Sequence, residues 1–210
     1  MFNRPEYKKN ALAILKGDWG LACVLTIISA ILVPLPLVLC PVAGVCILGI
    51  LGVAISFTFM KMIALSSGDN PNEKATFSTF LQGIEERWLT ALLGSLWQLL
   101  WITLWSMLFV IPGIVKAYSY SMMFFVIAEN PKIGATKAMD ISKILTQGHK
   151  ADLFVLDLSF LGWAFLSSLI SGLGFIWLFP YEHMTKTHAY YDLKKMAFAQ
   201  NKLTPADFEA

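Results

Sequence analysis

Charge is what this sequence has least of. Asp, Glu, Lys and Arg make up 14% of its 210 residues, against about 25% in an ordinary soluble domain. No charged residue occurs anywhere from Leu21 to Met60, so that part of the chain has nothing to hold it in water. A net charge of only +2 leaves no basic surface with which to recruit nucleic acid. Cysteine is scarce as well. Cys23, Cys40 and Cys46 lie in or beside apolar runs, with no Cys-x-x-Cys or Cys/His spacing for a metal, and read as small packing residues.

The motifs of catalysis are also missing. There is no G-x-S-x-G and no phosphate-cradling loop, and no nucleophile with its base is evident. His183 and His188 are five residues apart, about 140° around a helix, and EHMTKTH is not the HExxH of a zinc enzyme. Glu182 with Lys186, and His188 with Asp192, read instead as i, i+4 pairs at a solvated helix end. The expectation is a protein that is not an enzyme, with no metal and no cofactor.

What fills the space is apolar sequence, 57% of the chain against roughly 45–50% in soluble proteins. It comes in runs close to the roughly 20 residues that cross a bilayer. Six spans are expected, at about 20–39, 42–60, 89–111, 114–128, 152–170 and 175–196. Pro34, Pro36 and Pro41 separate the first two. Pro112-Gly113 is expected to turn the chain between the third and fourth, and Ser171-Gly172-Leu173-Gly174 between the fifth and sixth. The first run starts only at Gly20 and is too long for a signal-peptide core, so it reads as a retained span. In the second, Gly44, Gly49 and Gly52 would allow close helix approach.

Three amphipathic segments alternate with the spans. In 5–19, Tyr7, Ala11, Ile14 and Leu15 share one face while Lys8, Lys9 and Lys16 lie away from it. That helix either rests on lipid head groups or packs on the protein. In 76–88 the stripe is Phe77, Phe80, Leu81, Ile84 and Trp88, with Glu85, Glu86 and Arg87 off it. In 132–147, Ala138, Ile141 and Leu145 oppose Lys132, Thr136, Asp140, Lys143 and Gln147, and Gly148 is a plausible cap. Ser66 to Lys74 reads as a polar loop and the tail from Gln200 as loose. Fifteen of the sixteen Lys and Arg fall on one side of a six-span arrangement, which puts both termini in the cytoplasm. The fold class is therefore an all-α membrane protein, one domain over 1–210. Its six transmembrane helices form three hairpins, with interfacial helices on the cytoplasmic side.

Two ionisable residues stay inside apolar runs, Lys116 and Asp157. An aspartate at a span centre costs about 2.5–3.5 kcal/mol to insert, so Asp157 should have a partner. Tyr118 or Ser121 on the fourth span, or a cation from the surface helices, would serve. Lys116 is expected near the outer face and Asp157 near the inner, too far apart to pair. Trp97, Trp101 and Trp105 recur at i, i+4 and i+8 and form an aromatic wall, for an amphiphile or for packing.

Several stretches carry a resemblance: IPGIVKAYSYSM at 111–122, AENP at 128–131, SKILTQGHK at 142–150, LDLSFLGW at 156–163, PY at 180–181 and YY at 190–191. With the opening ALAILKGDW at 11–19, they resemble a bacterial integral-membrane family known as domain-of-unknown-function family number 975. The resemblance implies a multi-span fold in the cell membrane and brings no known activity. Three readings follow. The first is a non-enzymatic membrane protein whose partners are lipids, another membrane protein or a second copy of itself. The second is a small-solute or ion transporter or channel, and the third, least favoured, a membrane enzyme.

Overall fold

A computed structural model of the chain describes residues 2–67, 74–108, 110–130, 132–169 and 172–208. Most of the polar loop expected at Ser66–Lys74 lies outside the described residues, as do Pro131 and Ser171, the latter part of the turn expected between the fifth and sixth spans. Among the described residues there are helices and no strand: α1 (Arg4–Leu32), α2 (Pro34–Leu39), α3 (Pro41–Ser66), α4 (Phe77–Leu108), α5 (Val110–Tyr120), α6 (Met123–Glu129), α7 (Ala135–Thr146), α8 (Lys150–Leu169), α9 (Phe175–Ala199) and a 3-10 turn at Pro205–Phe208. Five stretches are long and apolar enough to cross a membrane: Arg4–Leu32, Pro41–Ser66, Phe77–Trp105, Ile111–Glu129 and Lys150–Leu169. The sixth expected span is a helix too, but the second half of α9 is too polar to join that group.

Proline sets the early breaks as expected. Pro34 and Pro41 open α2 and α3, where the missing N–H is no loss, and Cys40 between them is extended. Other boundaries moved. The helix expected at 5–19 runs straight into the first span, with a kink at Asp18, whose φ is −137°. The helix expected at 76–88 is the opening of α4, which is 32 residues long. Pro112-Gly113 is not a turn. Both residues belong to the first turn of α5, where proline is tolerated. Nevertheless α4 and the α5–α6 segment lie antiparallel. Lys116 sits beside Trp105, a Cβ on Gly94 would meet Ile127 and Met123, and Arg87 reaches Ala128.

The centre of the molecule is α6, where Met123, Phe125, Val126, Ile127 and Ala128 are all buried, enclosed by α3, α4 and α7. Outside this, α1 packs along α9 and α3, and α8 leans on α9 and α5. Close approach of α3 to α4 depends on small residues. A Cβ on Gly49 would fall 2.5 Å from the Ser95 Cβ, and one on Gly83 would fall 3.1 Å from the Ala54 Cα. In the N-terminal segment Tyr7, Ala11 and Leu15 are buried against the protein, which decides between the two readings of that helix.

On α4 the apolar stripe points the wrong way for a soluble helix. Phe77, Leu81 and Trp88 are exposed, while Phe80, Arg87 and Ala91 are buried. Arg87, expected off the packed face, turns inward. Its Nε donates to the Ala128 carbonyl at 3.1 Å, its guanidinium lies over the Phe57 ring, and Nη1 pairs with Glu86. The tail is not loose. Asn201 has φ 53°, and Lys202 N–H and Asn201 N–H return to the Ala197 and Phe198 carbonyls, a left-handed cap that ends α9. Phe208 then docks on Phe198 beneath Lys194, its carbonyl held by the Asn130 side chain. Thr204 donates twice to Asp207 and holds that carboxyl below its ordinary range.

Candidate functional site

The expected fourth span is broken. α5 stops at Tyr120 and α6 starts at Met123, with a turn at Ser121 and Met122. Backbone groups freed inside an apolar body must find partners within the protein. Here α7 supplies them. The Ser142 hydroxyl donates to the Ser119 carbonyl at 2.8 Å and accepts from the Met122 N–H at 3.2 Å, and Thr146 Oγ1 lies 3.4 Å from the same carbonyl. The α7 face expected from Ala138, Ile141 and Leu145 is buried as read, and Lys132, Asp140 and Lys143 stay exposed.

The two faces of α5 carry different chemistry. On one, the Tyr118 hydroxyl donates to Asp157 Oδ2 at 3.0 Å. Lys186 of α9 completes the group, 3.1 Å from Asp157 Oδ1 and 2.8 Å from Glu182 Oε1. Tyr118 and a cation are thus the partners of Asp157. Ser121 is not, since its hydroxyl bonds locally to the Tyr118 carbonyl. Nor is the Glu182–Lys186 pair a solvated helix end, because each side chain keeps only about a third of its surface exposed. Nearby, His183 sits among the rings of Phe59, Phe125 and Phe179, with Nε2 3.1 Å from the Ser56 hydroxyl. That hydroxyl already donates to the Gly52 carbonyl at 2.7 Å, so it accepts from His183 and fixes the Nε2–H tautomer.

On the other face stands Lys116. It does not pair with Asp157, though not for the expected reason of depth. Tyr118 and Lys116 are two residues apart, about 200° around one helix, so they share a level and point opposite ways. Lys116 Nζ lies 4.9 Å from the Trp105 ring centroid. Among the described residues it has no carboxylate partner. Trp97, Trp101, Trp105 and Lys116 line one cavity of about 270 Å³ together with Tyr120 of α5 and Asp140 and Lys143 of α7. Trp97 and Trp101 meet edge to face at 6.1 Å. The tryptophan wall and the lysine, read separately in the sequence, are thereby one site. The contribution of α7 was not foreseen.

Residues 99–197 match the model of a family described as Protein of unknown function (DUF975). Over this stretch the chain is similar to that family. No curated protein and no solved structure matches the chain. The DUF975 stretch takes in α5 to α8 whole, nearly all of α9 and the end of α4. Its sequence motifs turn out to touch one another. Tyr118 of AYSYSM meets Asp157 of LDLSF, and Ser142 of SKILT meets Ser119. Phe160 packs edge-on against Tyr181 of PY at 5.2 Å. Glu129 of AENP takes a 2.6 Å bond from Tyr190 of YY and pairs with Lys194.

Proposed function

We propose that this is a non-enzymatic protein of the bacterial cell membrane, crossing it six times with both termini in the cytoplasm, which binds a membrane amphiphile. One observation carries the reading: three tryptophans and Lys116, which has no carboxylate partner among the described residues, share a cavity whose α4 and α5 walls belong to stretches apolar enough to cross a membrane. At about 270 Å³ the cavity is just under the roughly 300–1,000 Å³ of most ligand pockets. That volume suits a head group or a length of chain. Lipid analysis of the protein purified in mild detergent tests it. The wild type should retain about one lipid per chain, and Trp101→Ala with Trp97→Ala should retain much less. Equal retention, or none in either, overturns the reading. The topology is tested separately, in a background free of the native cysteines. Lys74→Cys and Lys202→Cys should react with impermeant thiol reagents only from the cytoplasmic side, and labelling from outside at either position sinks six spans.

Transport is the second reading. Its support is the Asp157–Lys186–Glu182 group beside a broken span, since charged residues and interrupted helices in membranes accompany substrate paths. Solute flux in proteoliposomes that disappears in Asp157→Asn would favour it over the first. In either reading the partners are lipids or another membrane protein, a second copy included.

A further inference from the structure

We propose that the occupant of the Trp97–Trp101–Trp105–Lys116 cavity is anionic, the phosphate of an acidic phospholipid whose chain runs down the outer face of α4. The inference rests on the amphiphile reading above and names the head group. Donors dominate the cavity. Lys143 has its charge balanced by Asp140 at 2.7 Å, whereas among the described residues Lys116 is met only by a ring. One positive charge is therefore left over. The Trp105 indole Nε1 is buried and has no acceptor among the described residues. A buried N–H without an acceptor costs about 1–3 kcal/mol, and an anion held by Lys116 would supply one. A zwitterionic head group carries the same phosphate but cancels it with its own cation, so only a net-anionic lipid leaves a full charge to answer Lys116. From the cavity, Trp97 leads into a row of exposed residues along α4, with Leu93, Leu100 and Leu104 each more than half exposed. They recur at three- and four-residue steps, one stripe of a helix. That stripe is a bed for one acyl chain, starting where the phosphate would sit.

The test is native mass spectrometry of the delipidated full chain, titrated with phosphatidylglycerol, with phosphatidylcholine of the same acyl chains, and with inorganic phosphate. Wild type should bind phosphatidylglycerol about tenfold more tightly than phosphatidylcholine, the ratio expected for one charge-assisted contact. Lys116→Gln should bring the two lipids to parity, and Lys132→Gln, in the exposed turn ahead of α7, should change nothing. Trp105→Phe keeps an aromatic ring, though a smaller one, and removes the N–H. It should lower phosphatidylglycerol binding several-fold while sparing phosphatidylcholine, and it carries the test should Lys116→Gln fail to fold. Equal binding of both lipids by wild type overturns the anionic head group and leaves the amphiphile reading standing. Binding of neither overturns both. A preference that Lys132→Gln removes as fully as Lys116→Gln is mere surface charge and also overturns the proposal. So does displacement of the lipid by an equal concentration of phosphate, which would make the free ion the ligand.

Discussion

Lys116 and Lys186 stand on either side of α5 and are held in opposite ways. Lys186 is bracketed by Asp157 and Glu182, with Tyr118 completing the shell of Asp157. Lys116 is met by the face of Trp105 and, among the described residues, by no carboxylate. Both are charges in a largely apolar body, and such charges are costly enough to suggest function by default. The comparison refines that default. A charge whose partners are all present braces the fold. A charge met only by a ring retains attraction for something that arrives from outside. By this measure we propose that Asp157 serves as a brace and that Lys116 is the residue to watch.

Breaking the bracket should have the largest effect. Lys186→Met leaves two carboxylates together without their cation. The expected loss is about 3 kcal/mol, the low end for a buried pair because both side chains are partly exposed. It would be read as a lower melting temperature in detergent, and Asp157→Asn in the same chain should recover part of it. An unchanged melt would show that the bracket is ornamental. Next comes the wall between the two sides. Ser142→Ala removes the hydroxyl that bridges Ser119 and Met122 and should cost about 1–3 kcal/mol, with faster amide exchange at Met122. Asp157→Asn alone keeps an acceptor for Tyr118 and leaves Lys186 with Glu182. It should cost about 1 kcal/mol and leave retained lipid unaltered; loss of lipid here would erase the distinction between the two lysines. Smallest in stability is Lys116→Gln, expected within about 0.5 kcal/mol of wild type yet with its preference for phosphatidylglycerol gone.

How much of this could be read from residues alone depends on where the information lies. Proline placed the α2 and α3 starts, and the change of character at Trp19 fell beside the kink at Asp18. Tyr118 was named as a partner for Asp157 because the carboxylate needed a donor at that level. The glycines of α3 marked a close approach that Gly49 makes to Ser95. Arg87 was missed because an apolar stripe marks the core only when the solvent is water. Where the surroundings are apolar, Phe77, Leu81 and Trp88 face outward and the inner face holds what must be partnered. The break at Ser121-Met122 carries no proline or glycine. It exists because Ser142, on a later helix, satisfies it, so nothing local announces it. The Glu182–Lys186 spacing was seen, but spacing does not say whether water or Asp157 lies beyond it.

The order in which these partners leave the ribosome is itself a constraint. Asp157 enters with α8, while Lys186, its counter-ion, belongs to the following helix and is made later. Glu129 likewise precedes Tyr190 and Lys194, and Asn130 precedes Phe208, the residue whose carbonyl it holds. At roughly 5–20 residues per second the early carboxylates wait for seconds without their cations. Until α9 is made, therefore, α8 carries a carboxylate without its counter-ion and is a less apolar segment than it later becomes. The last helix closes the assembly, and a ribosome stalled before α9 would leave a chain with its acids exposed to quality control.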